Sequence, residues 1–276
     1  MHSKEFGAGF WLLALLTVFV FIGDAPIRAA EQPAYARLKP EIKAAIEKME
    51  GGTIHAKVKI PWRLFVPATA SNSQRLPMVV FLHGAGMRGE DNIGPMSLAW
   101  PFASPEGQAK HPCFVFAPQV RLGRRWVNQA FTKGAYSSDA IPITDEMSAV
   151  LRHVEKLLTE RPIDARRVYV VGQSMGGYGT WDALVRKPDL WAAAVPICGG
   201  GDPSKADLIK AIPVWAWHGD SDTNVPVSGS RDMIAALTKA GATPLYTEIP
   251  KGGHGVWNIA LADPKMFEWL FAQKRH

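Results

Sequence analysis

One stretch constrains this chain more than any other: Val168-Tyr169-Val170-Val171-Gly172-Gln173-Ser174-Met175-Gly176-Gly177-Tyr178-Gly179-Thr180. Its first four residues are β-branched or aromatic and read as a buried strand, and from Met175 onward the pattern is helical. The Gly-x-Ser-x-Gly between them is the sequence form of a nucleophile elbow, where a strand turns sharply into a helix. The serine at the apex takes a strained backbone conformation, which Gly172 and Gly176 permit by letting strand and helix approach closely. Such a turn lifts the Ser174 hydroxyl clear of the sheet. It also puts the Met175 N–H at a helix N-terminus, where a developing oxyanion meets a donor and the positive end of the helix dipole. A glycine-rich turn with an incidental serine would carry the same motif, so the rest of the chain decides.

The 276 residues, 47% hydrophobic and 20% charged, suffice for one large domain with a full core. Residues 1–30 stand apart, with Lys4 ahead of an apolar run from Phe6 to Gly23 that only Thr17 interrupts. This reads as a secretory signal peptide, so residues 31–276 are expected to be a single exported domain, periplasmic or secreted. Ile27 and Arg28 occupy places where small residues are expected before a cleavage site, and the run is long enough to stay as an uncleaved membrane anchor. The formal net charge is +6, and the leader's Lys4 and Arg28 cancel its Glu5 and Asp24. The basic residues are scattered and do not interleave with aromatics, which argues for solvated surface and against a nucleic-acid partner. Membrane contact is expected only through the leader. Cys113 opens one expected strand and Cys198 closes another, so both should be free, buried and inert.

Residues 31–50 carry Leu38, Ile42, Ala45, Ile46 and Met49 at helical spacing, stopped by Gly51-Gly52. Residues 53–60 and 62–66 read as an antiparallel hairpin at a sheet edge. Residues 78–82 form a continuous apolar run, the mark of a strand buried on both faces, and lead into His83-Gly84-Ala85-Gly86. Further strands are expected at 114–118, 168–171, 191–198, 214–218 and 245–249. Helices are expected at 145–159, from the elbow to 187, at 228–240 and at 264–273. This βαβ series predicts an α/β fold with a mostly parallel central sheet and helices on both faces. The loop 119–142, with Trp126, Phe131 and Tyr136, is long enough to line a site.

A serine hydroxyl needs a general base to become a nucleophile at neutral pH, and the base needs a third group to fix its tautomer. In an elbow-bearing fold the order is serine, acid, histidine, with the acid after a later strand and the histidine near the end. Strand 214–218 runs into Gly219-Asp220-Ser221-Asp222, and Lys251-Gly252-Gly253-His254-Gly255 follows the last strand. His55 and His153 read as exposed, His111 as a loop residue, and His2 and His276 as terminal. His83 and His218 each end a buried strand and read as structural. His254, in a glycine-flanked loop, is the expected base, and Asp222, deeper in its turn than Asp220, the expected acid. The second oxyanion donor is expected to be the Ala85 N–H, where Gly84 and Gly86 allow close backbone approach. Residues 87–92 should be clamped by ion pairs and turn hydrogen bonds. With no H-E-x-x-H, C-x-x-C or G-x-x-x-x-G-K-[ST] in the chain, no metal or other cofactor is expected.

His83-Gly84-Ala85-Gly86-Met87-Arg88-Gly89-Glu90-Asp91-Asn92, Ala117-Pro118-Gln119, the elbow, His218-Gly219-Asp220-Ser221-Asp222 and His254-Gly255-Val256-Trp257 together resemble the α/β-hydrolases of the dienelactone-hydrolase and prolyl-oligopeptidase-like group. Exported bacterial esterases and predicted peptidases of that group are the nearest in pattern. The resemblance spans about residues 51–275. It implies the α/β-hydrolase fold, a triad of Ser174, Asp222 and His254, and Met175 and Ala85 as oxyanion donors. Dienelactone hydrolases proper use a cysteine nucleophile, so their own activity is not implied.

Three functions compete: a serine carboxylesterase, a serine peptidase of the prolyl-oligopeptidase type, and a non-catalytic binding module. The intact triad argues against the last. An ester of a short or aromatic acyl group, free or linked to a polysaccharide, is the expected substrate, because amide hydrolysis demands tighter positioning and no extra peptide-screening domain or long lid is visible. Trp126, Tyr178 and Trp257 are candidate aromatic pocket walls, and Trp126 and Tyr178 read equally well as core.

Overall fold

A computed structural model describes residues 38–275, so the leader expected over 1–30 lies outside the described residues. The sheet is built outward from β3 (Leu76–Leu82), buried throughout, and β5 (Ile163–Gln173), buried from Val168 onward. Such strands have no polar face, so both sides must be covered by helices. Eight strands lie in the order β1-β2-β4-β3-β5-β6-β7-β8. β1 (Glu50–His55) and β2 (Lys59–Phe65) form an antiparallel hairpin at the sheet edge as expected, though its turn falls at residues 56–58, inside the stretch 53–60 read as the first strand, and β2 pairs antiparallel with β4 (Phe114–Pro118). From β4 onward every pairing is parallel, through β6 (Ala193–Ile197), β7 (Trp215–Gly219) and β8 (Leu245–Ile249). The α/β-hydrolase fold read from the sequence is the fold observed.

One face of the sheet carries α4 (Asp145–Glu160), whose Thr144 cap accepts from the Met147 N–H, together with α5 (Met175–Arg186) and α7 (Ser228–Lys239). The other is covered by α1 (Pro40–Glu47), α2 (Gly94–Ala103) and α9 (Pro264–Ala272). Short helices α3 (Pro105–Lys110), α6 (Ala206–Ile209) and α8 (Trp257–Ala260) complete the set among the described residues.

Several boundaries depart from expectation. α1 ends at Glu47, and Gly51-Gly52 belongs to β1 rather than to a helix stop. α2 and α3 are additions to the expected helices; Pro95 and Pro105 sit in their first turns, where a missing N–H costs nothing, and Pro101 lies inside α2. His153 is not exposed: its ring lies against Trp62 and Phe116, with centroids 5.3 Å away in each case, and burial lowers its pKa. Both cysteines are free and buried, and burial pushes each thiol up to about 12.

Candidate active site

β5 delivers Ser174. Its N–H still donates to the Ile197 carbonyl of β6 at 2.8 Å, and the chain then reverses into α5 with Ser174 at φ 56° and ψ −118°. A non-glycine residue there is strained by about 1–3 kcal/mol, so the surroundings must enforce it. Close packing does so: a Cβ on Gly172 would run into the Gly176 carbonyl, and one on Gly176 into the Leu82 carbonyl. Ser174 is only 7% exposed, less open than an elbow apex suggests.

Acid and base arrive on the loops after β7 and β8, which are knit together. The Asp220 N–H donates to Ile249 O at 3.2 Å and the Ser221 N–H to Gly252 O at 2.9 Å. His254 thereby stands between its two partners, with Nε2 2.8 Å from Ser174 Oγ and Nδ1 2.7 Å from Asp222 Oδ2. An ionised carboxylate only accepts, so Nδ1 carries the hydrogen and the Nε2 lone pair faces the serine hydroxyl. Asp222 must therefore be ionised. Burial pushes its carboxyl up, but hydrogen bonds from His218, His254, and the Val225 and Asn224 N–H groups outweigh that and hold it well below the usual carboxylate range. Asp220 is exposed, and its Oδ1 accepts from the Ser221 hydroxyl.

Met175 opens α5 and Ala85 opens a one-turn 3₁₀ helix (Ala85–Met87), so neither N–H has an intrahelical acceptor. The two turns adjoin, since Gly176 abuts Leu82 and a Cβ on Gly84 would run into the Gln173 side chain. Residues 87–92 are clamped as expected. The Asp91 Oδ1 accepts from Ile93 and Gly94, Gln119 Nε2 donates to Met87 O at 2.9 Å, and Arg121 pairs with Glu90 at 2.8 Å.

The aromatic candidates separate. Trp126 is a core residue, fully buried, with its indole N–H donating to His83 O at 3.0 Å and its Cβ packed where Gly179 lacks one. Tyr178 is also core, 1% exposed, its hydroxyl donating to Phe131 O at 3.0 Å. Neither presents a face to a substrate, which corrects that expectation. Trp257 is half-buried and meets His254 edge to face, centroids 5.2 Å apart at 87°. The long loop is tied to α5 and to the loop after β6: Tyr136 donates to Asp182 at 2.9 Å and Ser138 Oγ to Asp202 at 2.7 Å.

Sequence reasoning missed a buried layer beneath the acid. Cys198, at φ 48°, closes β6 with Sγ 3.5 Å from His254 O, and His218 approaches Asp222 Oδ2 at 3.4 Å. The spacing of His218 four residues before Asp222 was the available signal. Cys198, His218 and Asp222 offer ligand atoms within 4.8 Å of one another. The donor set does not suit a metal, because burial holds the thiol protonated and both imidazole nitrogens and both carboxylate oxygens have partners.

Comparison with known proteins shows which chains this one resembles. Residues 142–217 match the prolyl oligopeptidase family. A structure titled as a thermostable esterase is 40% identical, with a TM-score of 0.77 over 83% of this chain and 64% of that one. The chain has the α/β-hydrolase fold. This α/β-hydrolase also shares its fold with the acylaminoacyl peptidase of Pyrococcus horikoshii, at 16% identity and a TM-score of 0.60 over 83% of this chain and 42% of that one. An uncharacterized secreted protein of Arthroderma benhamiae is 26% identical over 265 residues, 82% of this chain and 26% of that one. The α/β-hydrolase thus spans about a quarter of that relative and just under two thirds of the esterase chain. Among its described residues no helix is long and apolar enough to cross a membrane.

Proposed function

We propose that this protein hydrolyses carboxylic esters of small or aromatic acyl groups through an acyl-enzyme formed on Ser174. The observation that carries the proposal is the unbroken hydrogen-bonded path from Ser174 Oγ through His254 to Asp222. As the hydroxyl attacks the ester carbonyl, Nε2 takes its proton and Asp222 stabilises the imidazolium. The oxyanion is received by the Met175 and Ala85 N–H groups. Nε2 then protonates the departing alcohol, and a water activated by the same nitrogen releases the acid.

An ester is favoured over a peptide because the 40% identical structure is titled an esterase, and because Trp257 offers a flat wall beside His254. The substrate is a small molecule or an ester carried on a polysaccharide, met outside the cytoplasm after export directed by residues 1–30. The secreted relative accords with export. Purified protein would be compared on p-nitrophenyl acetate, p-nitrophenyl octanoate, methyl ferulate and a chromogenic prolyl amide. Acetate or ferulate should be turned over best, and preference for the prolyl amide would replace the esterase reading with a peptidase one.

A further inference from the structure

The triad acid is held from behind as well as from the front. Asp222 Oδ1 accepts from the Asn224 N–H at 2.8 Å and the Val225 N–H at 3.0 Å. Oδ2 faces His254 at 2.7 Å and, on its other side, His218 Nε2 at 3.4 Å. His218 is fully buried at the end of β7, and its Nε2 also lies 3.1 Å from Val225 O. A peptide carbonyl can only accept, so Nε2 carries a hydrogen. That hydrogen goes chiefly to Val225 O, with Oδ2 as a longer second acceptor. Val225 thus holds the acid through its N–H and is itself held by His218 through its C=O.

His218 is oriented in turn from α7. Its Nδ1 lies 2.8 Å from Ser230 Oγ, which is 3.2 Å from Gly199 O on the loop after β6. Whichever acceptor the Ser230 hydroxyl serves, Val225 O keeps the hydrogen on Nε2. From these contacts we infer that His218 is a positioning residue for the triad: it locks the Asp222–Val225 turn so that Oδ2 is presented to His254 Nδ1, and Ser230 fixes its ring. His218 lies behind the acid and acts through it, without touching substrate.

This inference rests on the hydrolase reading, and one experiment separates the two. Wild type, Ser174→Ala, His218→Gln, His218→Leu and Ser230→Ala would be assayed on p-nitrophenyl acetate, with competent sites counted by burst titration with a p-nitrophenyl phosphonate. No turnover by wild type, or retained turnover by Ser174→Ala, overturns the hydrolase reading. Where both behave as expected, His218→Leu should lower kcat per titrated site on the order of tenfold, with KM changing less than about threefold. His218→Gln places an amide donor near the position of Nε2 and should restore most of that loss. Ser230→Ala should lower kcat per site by a smaller factor. Equal losses in Gln and Leu would mean that the imidazole merely fills space and would overturn the positioning role. Should His218→Leu yield too few titratable sites to measure, Ser230→Ala decides: an unchanged kcat per site overturns the inference.

Discussion

Gly176 stands against Leu82 so closely that a Cβ would run into the Leu82 carbonyl oxygen. This approach couples the first turn of α5 to the end of β3, and so couples the Met175 N–H to the loop that carries Ala85. Gly176→Ala must push α5 off the strand, because the obstacle is backbone and not a flexible side chain. It should cost about 2–3 kcal/mol or more of stability and remove most turnover of p-nitrophenyl acetate. Gly253→Ala, with nothing within 4 Å of the added methyl, is the control. Urea unfolding of both variants checks the contrast, and equal stability would contradict it.

Stability should fall as the solution is acidified below neutral, and His83 gives the reason. Its Nδ1 lies 2.7 Å from Gly84 O and its Nε2 accepts from the Val120 N–H at 3.0 Å, so the buried ring is held neutral. Burial lowers its pKa from 6.5 to about 4. Between those values the unfolded chain binds the proton more tightly, so stability is complete above about pH 6.5 and drains as pH falls toward 4. The loss from this group approaches roughly 3 kcal/mol, and the lowered pKa values of His111 and His153 act in the same direction. Unfolding free energies from pH 7.5 to 4.5 test this, and a flat profile would refute it.

Trp126 and Trp257 should respond oppositely to truncation. Trp126→Phe loses a buried hydrogen bond and packing, for about 1–3 kcal/mol of stability with KM for an aryl ester unchanged in the surviving fold. Trp257→Ala should change stability by about 1 kcal/mol or less while raising that KM several-fold. Thermal unfolding and steady-state kinetics on the two variants distinguish core from wall.

What was legible in the sequence is what chemistry and backbone geometry both demand. The elbow glycines, the strand-ending His218-Gly-Asp-Ser-Asp222 and the glycine-flanked His254 announce themselves because a strained turn, an acid and a base each require particular residues at particular chain positions. Trp126 and Tyr178 did not resolve into core or wall, since an aromatic on a loop or a helix start reads the same in either setting until its indole or hydroxyl finds a carbonyl. Of the prolines in the helices after β3, Pro95 and Pro105 are harmless because they sit in first turns, a placement that is visible only once the helix starts are known. The spacing of His218 before Asp222 hints at their contact, but the part played by Ser230 depends on how α7 packs against β7, which chain spacing does not express.

The two adjacent acids can be told apart by amide substitution. Asp222→Asn keeps the shape but lets the side chain donate toward Nδ1, favouring the wrong tautomer of His254, and should lower kcat by about 10³- to 10⁴-fold. Asp220→Asn, on an exposed carboxylate that accepts from its neighbour's hydroxyl, should leave kcat within about twofold. Initial rates on one ester suffice, and the reverse ranking would move the role to Asp220.

The central claim is that Ser174 Oγ forms the acyl bond, and hydrolysis of p-nitrophenyl acetate by wild type and by Ser174→Ala tests it most directly. The hydroxyl contributes little packing, so the variant should unfold at nearly the wild-type temperature while kcat falls on the order of 10⁴-fold or more. Wild-type activity retained in a folded Ser174→Ala protein would contradict the account.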